Sequence, residues 1–157
     1  RGYDKPAFAG FAAGRDPRSD ARFKGFARAF KDTLGVETLD FRTSQSVSFE
    51  AGAELMTEIM NSSERPNCCF FLNDHLAFGA LCRCRETGIN VPTDFGIMGF
   101  NGLGLNKVLN QRITTINTPR ELMGATAIRN LLARINGAKI DNAISMPVTL
   151  LPGKTTR

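Results

Sequence analysis

Cys68-Cys69-Phe70-Phe71-Leu72-Asn73-Asp74-His75-Leu76-Ala77-Phe78 is the stretch that decides the fold. Five apolar residues in a row leave no polar face, so the strand they form is buried on both sides, as in a parallel sheet covered by helices. Asn73-Asp74 then offers a helix start, and the helical pattern runs on to Gly88. The same unit precedes it twice. Lys5 to Phe11 reads as a buried strand, Asp16 as a cap and Pro17 as a first helical residue, with Phe23, Phe26, Phe30 and Leu34 at helical spacing before Gly35. Val36 to Phe41 is a second strand, and Phe49, Ala53, Met56 and Met60 mark a helix that closes at Asn61-Ser62-Ser63. Phe95 to Phe100 is a fourth strand. Strands alternating with helices imply an α/β, doubly wound parallel sheet.

The last third breaks the rhythm. Asn101-Gly102-Leu103-Gly104-Leu105 is a glycine-rich loop, and Ile113-Thr114-Thr115-Ile116 is a short β-branched segment. Thr118-Pro119-Arg120-Glu121 has the form of a capping box, with Leu122, Ala125, Ile128, Leu132 and Ile135 as the apolar face of the helix it opens. A final strand, Ile144 to Leu151, contains Pro147, which argues for a sheet edge or a bulge.

Most chemistry lacks its parts. Gly153-Lys154-Thr155 resembles the end of a phosphate loop, but the required first glycine falls at Val148 and no helix can follow. Gly10-Phe11-Ala12-Ala13-Gly14 lacks dinucleotide-binding spacing. The single histidine, His75, sits at a helix start, and no strained nucleophile elbow is present. An enzyme is not expected, nor is a cofactor or a metal. The four cysteines pair in neither zinc nor redox spacing and read as reduced, packed thiols, a usage that leans cytoplasmic. The formal charge of +5 is dispersed, without the basic and aromatic interleaving of a nucleic-acid platform. No apolar run approaches the length of a membrane span, and the charged start Arg1 to Pro6 has no export-signal pattern.

In a doubly wound sheet, ligands sit beyond the carboxyl ends of the strands. That directs attention to Gly14 to Arg22, Arg42 to Ser46, Asn73-Asp74 and Asn101-Gly102. Arg18 and Arg22, four apart, share a helix face, and a guanidinium fork suits a carboxylate or paired hydroxyls. Asn73 reads equally as a helix cap and as a ligand contact, and the two roles are compatible.

Five segments in order resemble the C-terminal part of a LacI-type transcription regulator: Ser19 to Phe26, Phe71 to Ala80, Gly88 to Phe95, Gly99 to Gly102 and Ile113 to Ile116. The resemblance implies a periplasmic-binding-protein-like (type I) core in which two lobes close on an effector, with operator DNA bound by a separate helix-turn-helix headpiece. It implies that residues 1–112 form one lobe, that 113–143 are a crossover segment and helix belonging to a missing lobe, and that 144–157 hold a return strand and the C-terminus. The chain is then expected to be a piece of a longer protein, a homodimer in its parent form. The helix of the missing lobe is expected to be disordered, exchanged with a second copy or covered by a neighbour.

By the same resemblance, Arg22 matches the arginine that grips effector oxygens and Asn73 the amide or carboxylate that bonds effector hydroxyls. Asp16 and Arg18 fall where some members touch ligand. Val47 stands where many have a stacking aromatic, and Asn101 where many have aspartate. An amide in place of a carboxylate removes a negative charge. With Arg15, Arg18, Arg22 and Arg42 expected along one rim, the effector implied is a sugar or sugar acid, and Gly99–Gly102 and Thr118–Gly124 look most like gluconate-utilisation repressors. An exported periplasmic sugar-binding receptor of the same fold is the alternative.

Overall fold

The computed structural model describes residues 2–141 and 143–157. Arg1 and Asn142, which fall inside the segments assigned above to the lobe of residues 1–112 and to the crossover, lie outside the described residues.

Pro6–Phe11 (β1) is an interior strand of the sheet because every residue from Pro6 to Gly10 is apolar or small enough to be buried. It is followed by Pro17–Leu34 (α1), Leu39–Thr43 (β2), Phe49–Asn61 (α2), Cys68–Phe71 (β3), Asp74–Glu86 (α3), Gly96–Asn101 (β4), a 3-10 turn at Gly104–Lys107, Thr114–Asn117 (β5), Arg120–Ile135 (α4) and Thr149–Leu151 (β6). One sheet of order β2-β1-β3-β4-β5-β6 results, parallel except for β6, which runs antiparallel to β5.

Alternation along the strands distributes side chains to two faces. Phe8 and Phe70 meet Phe23 and Phe26 of α1 on one face, with Phe100 beside Phe70. On the other face Gly99 lies against Asp74 and Ala77 of α3. Helices α2 and α3 pack together so closely that a Cβ on Gly79 would stand 1.8 Å from the Phe49 carbonyl oxygen, and one on Gly52 2.2 Å from that of Leu76. Only glycine permits that approach. Leu55, Met56, Ile59, Leu76 and Leu81 fill the layer behind it.

The caps of α1 to α3 form as the residue types dictate. Asp16 accepts from the Arg18 N–H with Pro17 in the first turn, Gly35 closes α1 at φ 70°, and Asn73 accepts from the Leu76 N–H.

Four boundaries depart from the sequence reading. Strand β2 lies at Leu39–Thr43, not Val36–Phe41, because its register is set by β1, with Ala7 opposite Leu39 and Phe11 opposite Thr43. The Ile113–Ile116 segment forms β5 one residue later, at Thr114–Asn117, paired in the sheet with β4. The capping box does not form. Pro119 holds ψ at 65°, outside the helical region, so α4 starts one residue late and has no side-chain cap. Only Thr149–Leu151 of the last strand pairs, on the edge and after Pro147.

Helix α4 is formed, and its apolar face is left uncovered by the described residues: it has no buried residue, and Leu122, Met123, Ile128, Leu131, Leu132 and Ile135 are all exposed. No helix among the described residues is long and apolar enough to cross a membrane.

Candidate effector site

The chain leaves β1 toward the edge strand β2 and then returns to the other side of β1 as β3. Between the carboxyl ends of β1 and β3 the two crossovers therefore diverge, which opens a crevice at that rim. Arg22 of α1 occupies it. Its Nη1 donates to the Leu72 carbonyl oxygen at 2.8 Å, and its guanidinium lies 3.7 Å from the centre of the Phe100 ring. The side chain thus ties α1 to the ends of β3 and β4. Partial burial lowers its pKa from the ordinary arginine value, with the neighbouring charge of Arg18 adding to the effect. Arg22 makes no ion pair among the described residues, so its remaining N–H groups are available to an oxygen-rich ligand.

Asn73, nearly buried, stands immediately after Leu72 and spends its Oδ1 on the α3 cap. The cap reading of this residue is what the structure shows, and its Oδ1 hydrogen bond fixes the side chain's orientation. Asn101 ends β4 with φ at 113°, a left-handed conformation rare outside glycine. Arg22, Asn73 and Asn101 therefore gather at the β3–β4 end of the rim.

The other expected residues are placed differently. Arg18 is exposed and folds onto the Asp16 carboxylate at 3.0 Å, which lowers the Asp16 pKa chiefly through that side-chain hydrogen bond. Val47 is exposed in the loop after the edge strand β2, with β1 between it and the β3 end. The row of four rim cations is also thinner than the sequence suggests. Arg42 is consumed by Asp40 at 2.6 Å, Asp20 at 3.3 Å and the Phe11 carbonyl at 2.8 Å. Arg15 donates to the Ser44 and Gln45 carbonyls.

Sequence reasoning missed the role of Asp74. It is fully buried, accepting from Thr115 Oγ1 at 2.6 Å and from the Leu103 N–H at 2.7 Å. Burial raises its pKa, and those hydrogen bonds oppose the rise. One helix start thus serves two ends: Asn73 caps α3, while Asp74 anchors the loop that follows Asn101. Gly99 belongs to the same anchor, since a Cβ there would come 2.3 Å from Asp74 Oδ1. A carboxylate in the first turn is already explained by the helix dipole, and so the sequence, which placed Asp74 in a rim segment, suggested no further role for it. Among the described residues no group of three or more His, Cys, Asp or Glu could hold a metal ion.

Comparison with known proteins agrees with this fold. The model of the periplasmic binding protein-like domain matches residues 1–156. The HTH-type transcriptional regulator GntR of Escherichia coli is 34% identical over 154 residues, which is 98% of this chain and 46% of that protein. The chain spans about half the length of the curated relatives it matches. A LacI family transcriptional regulator from Enterococcus faecium, solved with bound ribose, superposes with a TM-score of 0.86 at 26% identity over 99% of this chain and 57% of its own. The lac repressor dimer bound to operator shares the fold at a TM-score of 0.87 and 22% identity, over 99% of this chain and 53% of its own. These relatives are regulators rather than enzymes. The chain belongs to the periplasmic binding protein-like domain family, in the form that LacI-type transcriptional regulators carry as their effector-binding part.

Proposed function

We propose that this chain is the effector-binding part of a bacterial transcription repressor that responds to a sugar or sugar acid. The observation that carries the reading is Arg22, held at the crevice between β1 and β3 by Leu72 and Phe100 while making no ion pair of its own. A positioned guanidinium with free N–H groups recognises a carboxylate or two adjacent hydroxyls. Asn73 and Asn101 supply amides beside it. Neither adds negative charge to the rim, and the nearby Asp16 carboxylate is already paired with Arg18, so the rim around Arg22 favours an anionic ligand. The similarity to GntR regulators and the ribose held by the Enterococcus relative support the chemical class.

In the whole protein the effector bridges this lobe and a second one. Closure then shifts the population between two lobe arrangements, and with it the spacing of paired DNA-binding headpieces in a cytoplasmic homodimer. Operator DNA is contacted through the headpieces and not through this lobe.

Calorimetric titration of the full-length protein with D-gluconate, D-ribose and D-glucose tests the reading. Binding of D-gluconate in preference to the neutral sugars is the expected result. Binding of glucose without gluconate overturns the sugar-acid assignment, and binding of none overturns the effector class.

A further inference from the structure

Arginine is a poor choice for the first turn of a helix, where the dipole presents its positive end. Arg120 nevertheless opens α4, and its guanidinium turns back toward the sheet. Nη1 donates to the Asn101 carbonyl oxygen at 2.6 Å and Nη2 to that of Gly102 at 3.4 Å. Both carbonyls belong to residues with positive φ, 113° and 65°. This short piece of backbone is held from three sides. The Leu103 N–H is taken by Asp74, the Gly102 N–H by Thr115 at 3.4 Å, and the two carbonyls by Arg120. Asn117 closes the remaining space, since a Cβ on Gly102 would stand 2.4 Å from its Oδ1.

We infer that Arg120 is a positioning residue for the effector rim: it fixes the strained backbone of Asn101 and couples that amide to the start of α4. The inference rests on the effector-site reading above. Without the guanidinium, the carbonyls of Asn101 and Gly102 lose the donors that offset their unfavourable conformation, and the Asn101 side chain loses its fixed aim. The charge offsets carbonyl dipoles here instead of meeting the helix dipole unpaired. Because Arg120 is exposed, its loss leaves no cavity and the sheet keeps its core.

The test compares wild type, Arg120→Gln and Arg120→Lys in the full-length protein by hydrogen exchange and by D-gluconate titration. In Arg120→Gln the Gly102 and Leu103 amides are expected to exchange faster while those of β1 and β3 are unchanged. Affinity for D-gluconate is expected to fall by about two- to thirtyfold, the usual range for a coupling residue. Arg120→Lys, which keeps the charge and can reach one carbonyl, is expected to recover part of both effects. Unchanged exchange at Gly102 and Leu103 overturns the inference, as does faster exchange with unchanged affinity. If wild type binds no gluconate, the sugar-acid assignment fails by itself, the affinity arm is read with whichever sugar does bind, and unchanged exchange at Gly102 and Leu103 still overturns the inference.

Discussion

Helices α2 and α4 are both amphipathic, and they meet opposite fates. Ala51, Gly52, Leu55, Met56 and Ile59 of α2 are buried against α3 and the sheet, whereas α4 buries nothing. Leu132 is 56% exposed and Leu55 1%. An apolar stripe therefore states that a helix needs a partner without saying where that partner is. In α2 the answer is local, because Gly52 and Gly79 let two neighbouring helices touch backbone to backbone. In α4 the sequence continues away from the sheet after Pro119, and the covering surface is not supplied by the described residues of the same sheet.

The contrast is sharpest in truncation. Leu55→Ala is expected to cost about 2–5 kcal/mol of unfolding free energy in urea, the range for a buried leucine, whereas Leu132→Ala should stay within about 0.5 kcal/mol in the isolated chain. A loss of several kcal/mol at Leu132 would mean that another surface covers α4 in solution. Glycine gives a second pair. Gly79→Ala drives a methyl into the Phe49 carbonyl and is expected to destabilise by about 1–3 kcal/mol or more, while Gly124→Ala, with nothing within 4 Å, should stabilise by about 0.5–1 kcal/mol. Thermal melts of the two variants moving in opposite directions would bear this out, and a stable Gly79→Ala would show that α2 and α3 can separate cheaply.

The smallest effect is kinetic. Burial pushes the Cys68 and Cys84 thiols up to about 12 and Cys69 well above its ordinary value, while Cys82 is exposed on α3. With Ellman's reagent at pH 8, one thiol is expected to react quickly and three only on unfolding, since the thiolate is the reactive form. A second fast thiol would mean that the interior opens on the timescale of labelling.

What was legible in the sequence follows the same division. The run from Cys68 to Leu72, the cap at Asp16 and the stop at Gly35 each state their structure locally, and each was read correctly. Register is not local: β2 slid toward Thr43 because β1 chose its partners, and no pattern within Val36 to Phe41 contains that information. Of the candidate site, Asn73 could be named because it sits at a strand-to-helix junction, and Arg22 because it shares the helix face of Arg18 just beyond one. Asp74 and Arg120 act through hydrogen bonds to a loop distant in sequence, which no spacing reveals. Arg42 carried one overlooked signal. Asp40 lies two residues before it on the same strand face, close enough to claim its charge.

The pairing of Asn117 with Thr149 has a mechanical consequence. The chain departs from the sheet at one member of that pair and comes back at the other, so everything in residues 118–148 is an enlarged loop on an ordinary β-hairpin. Its two feet stand side by side on adjacent strands, a single strand spacing apart. An arm mounted that way swings about one narrow axle and resists sliding, because translation would tear the β5–β6 ladder whereas rotation bends only the residues just outside it.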